Sequence, residues 1–116
     1  MKAKTFEIQA AQGDLLITRV KSLPKSAKPL KAEKGKFILA HSETGHHHTV
    51  AECHGVEFFG TDDPLVSYLR VIDNVEVTLE HERSFDTHEA LLLKGGTYEI
   101  RRQREYTPQG WRRVAD

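Results

Sequence analysis

The chain has 116 residues, the length of one ordinary domain, which excludes a two-lobed enzyme with separate cofactor and substrate domains. Seventeen Lys+Arg balance seventeen Asp+Glu, so we expect no whole-molecule electrostatic attraction to nucleic acid or to an anionic membrane. No apolar run approaches the roughly 20 residues that a bilayer span needs. With a single cysteine, Cys53, and no signal-peptide pattern, the sequence predicts a cytoplasmic protein.

Short strand patterns follow one another along the chain. The first covers residues 14–20, and a segment at about 21–36 with six lysines and two prolines is predicted to be an exposed loop. Turn residues at Asp73–Asn74 and at Lys94–Gly96 are predicted to separate later strands. Those later strands are 36–40, 46–51, 56–59, 65–72, 75–80, 89–93 and 97–106. The spacing predicts one all-β domain over residues 1–116, a small barrel or sandwich with few or no helices.

Histidine is the unusual residue in this composition. Seven histidines are present, and five of them fall between His41 and His54. In a strand from His46, the alternation of side chains puts His46, His48 and Glu52 on one face together with the β-branched Val50. A His-x-His pair on one side of a strand can reach a single metal ion, because both rings lean the same way.

Two later histidines extend this pattern. His81 ends the inward row of the predicted strand from Val75, and His88 follows after a short connection. The sequence therefore predicts a divalent metal ion, with Zn, Fe, Mn and Ni all compatible with such a ligand set. The metal ligands predicted are His46, His48, His81 and His88, with Glu52 as a further ligand. A metal-free alternative stays open, in which Gly45–His48 is a surface hairpin and His81 a core-edge histidine.

Two family resemblances rest on these motifs. Gly45-His-x-His48, followed by Glu52 and the distant His88, partly resembles the metal motifs of the cupin superfamily, which implies a jelly-roll-like barrel and a His/Glu-bound metal. The second pattern is Gln12-Gly13-Asp14, then Gly45-His46-x-His48, then Gly96-x-Tyr98-x-x-Arg101-x-Gln103-Arg104-Glu105-Tyr106-x-Pro108. It is similar to a group of small uncharacterised bacterial and phage-associated proteins, for which no activity is implied.

The last predicted strand carries a different chemical signal, since it is rich in arginine and tyrosine. One interpretation is a ladder of Arg–Glu pairs. The other is a surface that binds phosphate or nucleic acid, with aromatic rings for stacking. The residues of that second interpretation are Arg101, Arg102, Arg104 and Tyr106, together with Arg112, Arg113, Tyr98 and Trp111.

Known catalytic sequence motifs are missing from the chain: there is no nucleophile elbow, phosphate-binding loop or dinucleotide fingerprint. The main functional prediction is thus a small metal-binding β protein, either a catalyst or a binding module. A nucleic-acid-interacting accessory protein and a metal-free interaction domain are the alternatives. A small-molecule ligand and a homodimer formed through an edge strand are both compatible with the sequence, and no membrane partner is expected.

Overall fold

The computed structural model describes residues 8–12, 15–40, 47–81, 90–102, 104–107 and 110–113. Every regular element in these residues is a β-strand, which confirms the all-β prediction. The strands are β1 (Gln9–Gln12), β2 (Leu15–Val20), β3 (Lys28–Leu30), β4 (Lys36–Ala40), β5 (His48–Ala51), β6 (Val56–Gly60), β7 (Val66–His81), β8 (Leu91–Arg102), β9 (Arg104–Thr107) and β10 (Gly110–Arg113). Among these described residues there is no helix with the length and hydrophobicity to cross a bilayer.

Eight of the strands form one open antiparallel sheet. Its main path runs β1-β2-β8-β7-β5-β4, while β6 pairs with β7 and carries β3 on its other side. The strand β7 is long enough to pair with both β6 and β5: Ser67 to Val71 lie against β6, and Leu79 to His81 lie against β5. β9 and β10 make a separate two-stranded hairpin. The described strands thus form an open sheet, and barrel closure stays a prediction.

The centre of the β7–β8 pair is a corner, and it is built from residues that the sequence pattern predicts to form two separate turns. The ladder is regular up to Val71↔Gly96 and resumes at Glu76↔Lys94 after a shift in register. Asn74 has a φ of 68° and Gly96 a φ of 153°, so both depart from ordinary strand geometry. The prediction that these turns separate strands is wrong, because β7 and β8 each continue through the turn residues and bend together there.

This corner lets the two halves of the sheet share one core. Leu69 and Val71 before the corner, and Val77 and Leu79 after it, belong to the same buried hydrophobic cluster. The rings of Phe37 on β4 and Phe58 on β6 lie 6.0 Å apart, although these two strands are not neighbours in the sheet. The inner faces of the two halves therefore meet, and apolar residues at alternate strand positions fill the space between them.

The Lys/Pro-rich segment contains a strand that the sequence did not predict. All three residues of β3 are exposed, and β3 pairs with β6. Pro29 is compatible with this place because β3 has a pairing partner on only one side among the described strands. After β3 the chain reverses at Lys34 and Gly35, whose φ values of 51° and 80° match a two-residue hairpin turn. This turn sends the chain into β4.

Candidate functional site

The first residue of β5, His48, is a buried histidine. His48 is 1% exposed, and Val50 on the same face is 0% exposed. The sequence pattern predicted this shared inward face. An imidazole inside an apolar core needs hydrogen-bonding partners, because burying a polar group without one is costly.

Gln12, the last residue of β1, supplies such a partner. Its side chain is 2% exposed and makes two hydrogen bonds to the far half of the sheet. The amide Nε2 donates to the backbone carbonyl of Leu79 at 3.0 Å, and the amide Oε1 lies 2.8 Å from Nδ1 of His48. Gln12 therefore joins the edge strand β1 to β7 and β5, which are not its neighbours in the sheet.

These two hydrogen bonds determine the tautomer of His48. A carbonyl oxygen can only accept, so the atom of Gln12 that meets Leu79 O must be the NH₂ group. The Oε1 atom of Gln12 is then the one that meets His48, and Nδ1 of His48 must carry the hydrogen. In the neutral ring, Nε2 consequently bears the lone pair, and this atom is fully buried. A histidine prepared in this way has the form that a metal ion binds.

Position 81 lies directly opposite His48. The register of β5 and β7 pairs His48 with His81, Thr49 with Glu80 and Val50 with Leu79. Directly opposed residues of an antiparallel pair have Cβ atoms about 4.5–5.5 Å apart. The two strands thus bring two of the predicted ligand positions to one place in the sheet.

The third strand at this place, β4, carries an irregularity beside His48. Ile38 pairs with Thr49 and Ala40 pairs with His48, so Leu39 is the extra residue of a β-bulge. Leu39 and Ala40 are consecutive and yet both buried, at 6% and 3% exposure. Bulges redirect side chains and are common next to functional sites. Here the bulge pairs a small residue, Ala40, with His48.

The remaining metal candidates are not joined to this group by the described residues. Glu52 is exposed beyond the end of β5, and its N–H donates to Gly35 O. It lies four positions after His48, about 13 Å along an extended chain. His46 and His88 lie outside the described residues. Within the described part of the chain, no three His, Cys, Asp or Glu side chains are grouped so that they could hold a metal ion.

The arginines at the end of β8 take part in the structure of the sheet. Arg101 Nε donates to Glu99 at 3.1 Å, and Tyr68 donates to the other oxygen of Glu99 at 3.2 Å. Burial, followed by the charge of Glu99, raises the pKa of Tyr68. Arg102 is half-buried, with its Nε atom inside the protein. Arg104 and Tyr106 are placed on β9 by their backbone alone. The described contacts of Arg101 are those of a structural Arg–Glu pair.

Sequence reasoning missed Gln12 as part of the site. Its strand β1 has the sequence Gln-Ala-Ala-Gln, which contains no β-branched or aromatic residue, so no strand was predicted there. The position of Gln12 is evident from the β1–β2 pairing and not from the sequence pattern. Gln12 pairs with Leu15, and this register places its amide at the inner end of an edge strand.

The chain matches the model of a protein family. A family model described as "Domain of unknown function (DUF8820)" matches residues 11–103, which covers most of the chain and includes β2 to β8 entirely. No curated protein and no solved structure matches the chain.

Proposed function

The chain belongs to the DUF8820 family, a domain of unknown function, and we propose from its geometry that it binds a divalent metal ion through His48 and His81. The observation that carries the proposal is the hydrogen bond between Nδ1 of His48 and Oε1 of Gln12. It holds the ring in the tautomer whose Nε2 lone pair is directed away from Gln12, beside a second histidine position on the neighbouring strand.

A complete site requires at least one further ligand. The cupin-like pattern of the sequence suggests His46 or His88 for this place. His46 precedes β5, which begins at His48, and His88 follows β7, which ends at His81. Imidazole ligands suit Zn, Fe and Ni, a carboxylate beside them would also suit Mn, and Mg and Ca prefer oxygen ligands. A site with three protein ligands leaves a coordination position for water or a small molecule, where the metal would polarise a bound oxygen.

Metal analysis of protein prepared without a polyhistidine tag or chelating resin tests the proposal. We expect about one metal ion per chain in the wild type and in His54→Ala, because His54 is exposed in the turn after β5. His48→Ala should lose the metal. Full stoichiometry in His48→Ala, or none in the wild type after incubation with Zn, Fe, Mn and Ni salts, would refute the proposal.

A second measurement is needed because His48→Ala also removes a buried hydrogen-bond partner of Gln12. Long-range nitrogen–proton NMR spectra of the metal-free wild type report the tautomer of each histidine. We expect His48 in the Nδ1–H form and a large change at its Nε2 signal when Zn²⁺ is added. An unchanged Nε2 signal at saturating Zn²⁺ would show that His48 serves only to join the strands.

A further inference from the structure

A cleft of about 410 Å³ opens at one end of the inner face, between the β3–β4 connection and the β6–β7 turn. Its volume is within the range of small-molecule sites, which is about 300–1,000 Å³. The walls come from four strands, β3, β4, β6 and β7, from the β3–β4 connection and from the turn after β6. The cleft is therefore formed by the sheet itself and not by one loop.

The space results from two small residues at the end of the β6–β7 ladder. Further inside, Phe58 is paired with Leu69, and both belong to the core. One period later on the same face, Gly60 is paired with Ser67. A Cβ at Gly60 would lie 3.1 Å from Leu30 Cδ1, so a larger residue there would begin to fill the cleft. The change from a large pair to a small pair is what leaves the end of the sheet open.

The lining combines an apolar floor with a mixed rim. Leu39, Phe58 and Val66 form buried apolar surface, and Ser67 contributes a half-buried hydroxyl. The rim carries the exposed Lys31 and two exposed carboxylates, Glu33 and Asp63. Charges of both signs create no strong field of one sign, and the excess of one carboxylate disfavours an anion.

We propose that this cleft binds a neutral small molecule with an apolar body and one hydroxyl or amide group that hydrogen-bonds to Ser67. The volume corresponds to roughly 14 water molecules at about 30 Å³ each, so a bicyclic aromatic ring fits. Leu39, on the floor, is also the bulge residue next to Ala40, which pairs with His48. A molecule in the cleft would thus lie near the proposed metal site, although its binding does not require the metal.

Titration of the full chain with naphthol, in the presence of EDTA, tests this inference by NMR amide spectra. We expect a Kd of roughly 1 mM or lower, a value ordinary for a ligand of this size. The largest shifts should fall on Leu39, Phe58 and Ser67. Naphthalene sulfonate has the same ring with a negative charge, and its Kd should be at least roughly fivefold higher than that of naphthol. Ser67→Leu, which fills the cleft, should weaken naphthol binding roughly tenfold or more, and Ser26→Leu, the same change in an exposed turn, should not.

Three results would overturn the inference. The first is the absence of naphthol shifts at Leu39, Phe58 and Ser67 in the wild type, and the second is equal or tighter binding of the sulfonate. The third is unchanged naphthol affinity in a Ser67→Leu variant whose amide spectrum shows that it is folded. The first two use the wild type alone, so they decide the matter even if Ser67→Leu does not fold. Because EDTA is present throughout, failure here leaves the metal proposal untouched.

Discussion

Replacing Gln12 by leucine tests the link between the edge strand β1 and the far half of the sheet. The substitution keeps the approximate size of a side chain that is 2% exposed, and it removes both hydrogen bonds, at 3.0 Å to Leu79 O and at 2.8 Å to His48 Nδ1. The Nδ1 hydrogen of His48 would be left buried without an acceptor, which costs about 1–3 kcal/mol. The Leu79 carbonyl would also lose its donor, which adds to this cost. Leucine recovers part of the loss by burying more apolar surface. We expect a net loss of roughly 2–3 kcal/mol.

Urea denaturation with EDTA present, followed by circular dichroism, measures this loss without any contribution from metal. For a domain of this size the loss corresponds to a decrease in Tm of roughly 8–12 °C. Gln9→Leu is the matched control on the same strand, since Gln9 is exposed and its amide donates to Thr18 Oγ1 at 2.8 Å. Its cost should stay below about 0.5 kcal/mol. Equal stability losses in the two variants would show that the bonds made by Gln12 do not hold the sheet halves together.

Three further perturbations test other parts of the fold by the same denaturation assay. Gly95→Ala should lower the free energy of unfolding by more than about 2 kcal/mol, because the new Cβ would lie 2.9 Å from Asp73 Cα. In Gly35→Ala the new Cβ meets no atom within 4 Å, and only the φ of 80° should cost about 1 kcal/mol. Similar stability losses in the two variants would contradict the tight corner. Burial raises the pKa of Tyr98 above its ordinary value of 10.0, and the positive charge of Arg19 partly opposes this shift. The tyrosine of the unfolded chain therefore ionises at a lower pH than that of the folded protein, so wild-type stability should fall as the pH rises from 10 towards the folded-state pKa. Tyr98→Phe should show a smaller alkaline loss, and parallel pH curves would refute this assignment. Glu57→Gln, which breaks an ion pair with Arg70 that is about half exposed on both sides, should change stability by less than about 1 kcal/mol, and a larger change would show that the pair is not screened by solvent.

Much of the β architecture follows from local patterns in the sequence. Short runs of strand-forming residues bounded by turn residues predicted the positions of β2, β4, β5 and β6. The corner was not predictable in the same way. Asp73–Asn74 and Gly95–Gly96 are typical turn residues, and only their pairing across the ladder shows that they bend two strands together. A single sequence contains the turn signal but not the register.

The candidate site was predictable only in part, for the same reason. The inward position of His48 follows from the period of two along β5, and its pairing with His81 depends on which strands become neighbours. The sequence pattern also suggested Glu52, since alternation alone extends a face without limit. In the structure β5 ends at Ala51, so the face does not reach Glu52. Strand length, which depends on turns and partners, decides which members of a periodic row remain together.

The role of Gln12 connects stability with the proposed metal site. A cation on Nε2 would make the Nδ1 hydrogen of His48 more acidic and so strengthen its hydrogen bond to Gln12 Oε1. Because coupling between two processes is reciprocal, a metal that strengthens this bond must be bound more tightly when β1 is docked. The edge strand would thus raise the affinity of the proposed metal site, although it contributes no ligand. It follows that the Gln12→Leu variant, once refolded without EDTA, should bind metal more weakly than Gln9→Leu even though every proposed ligand is intact.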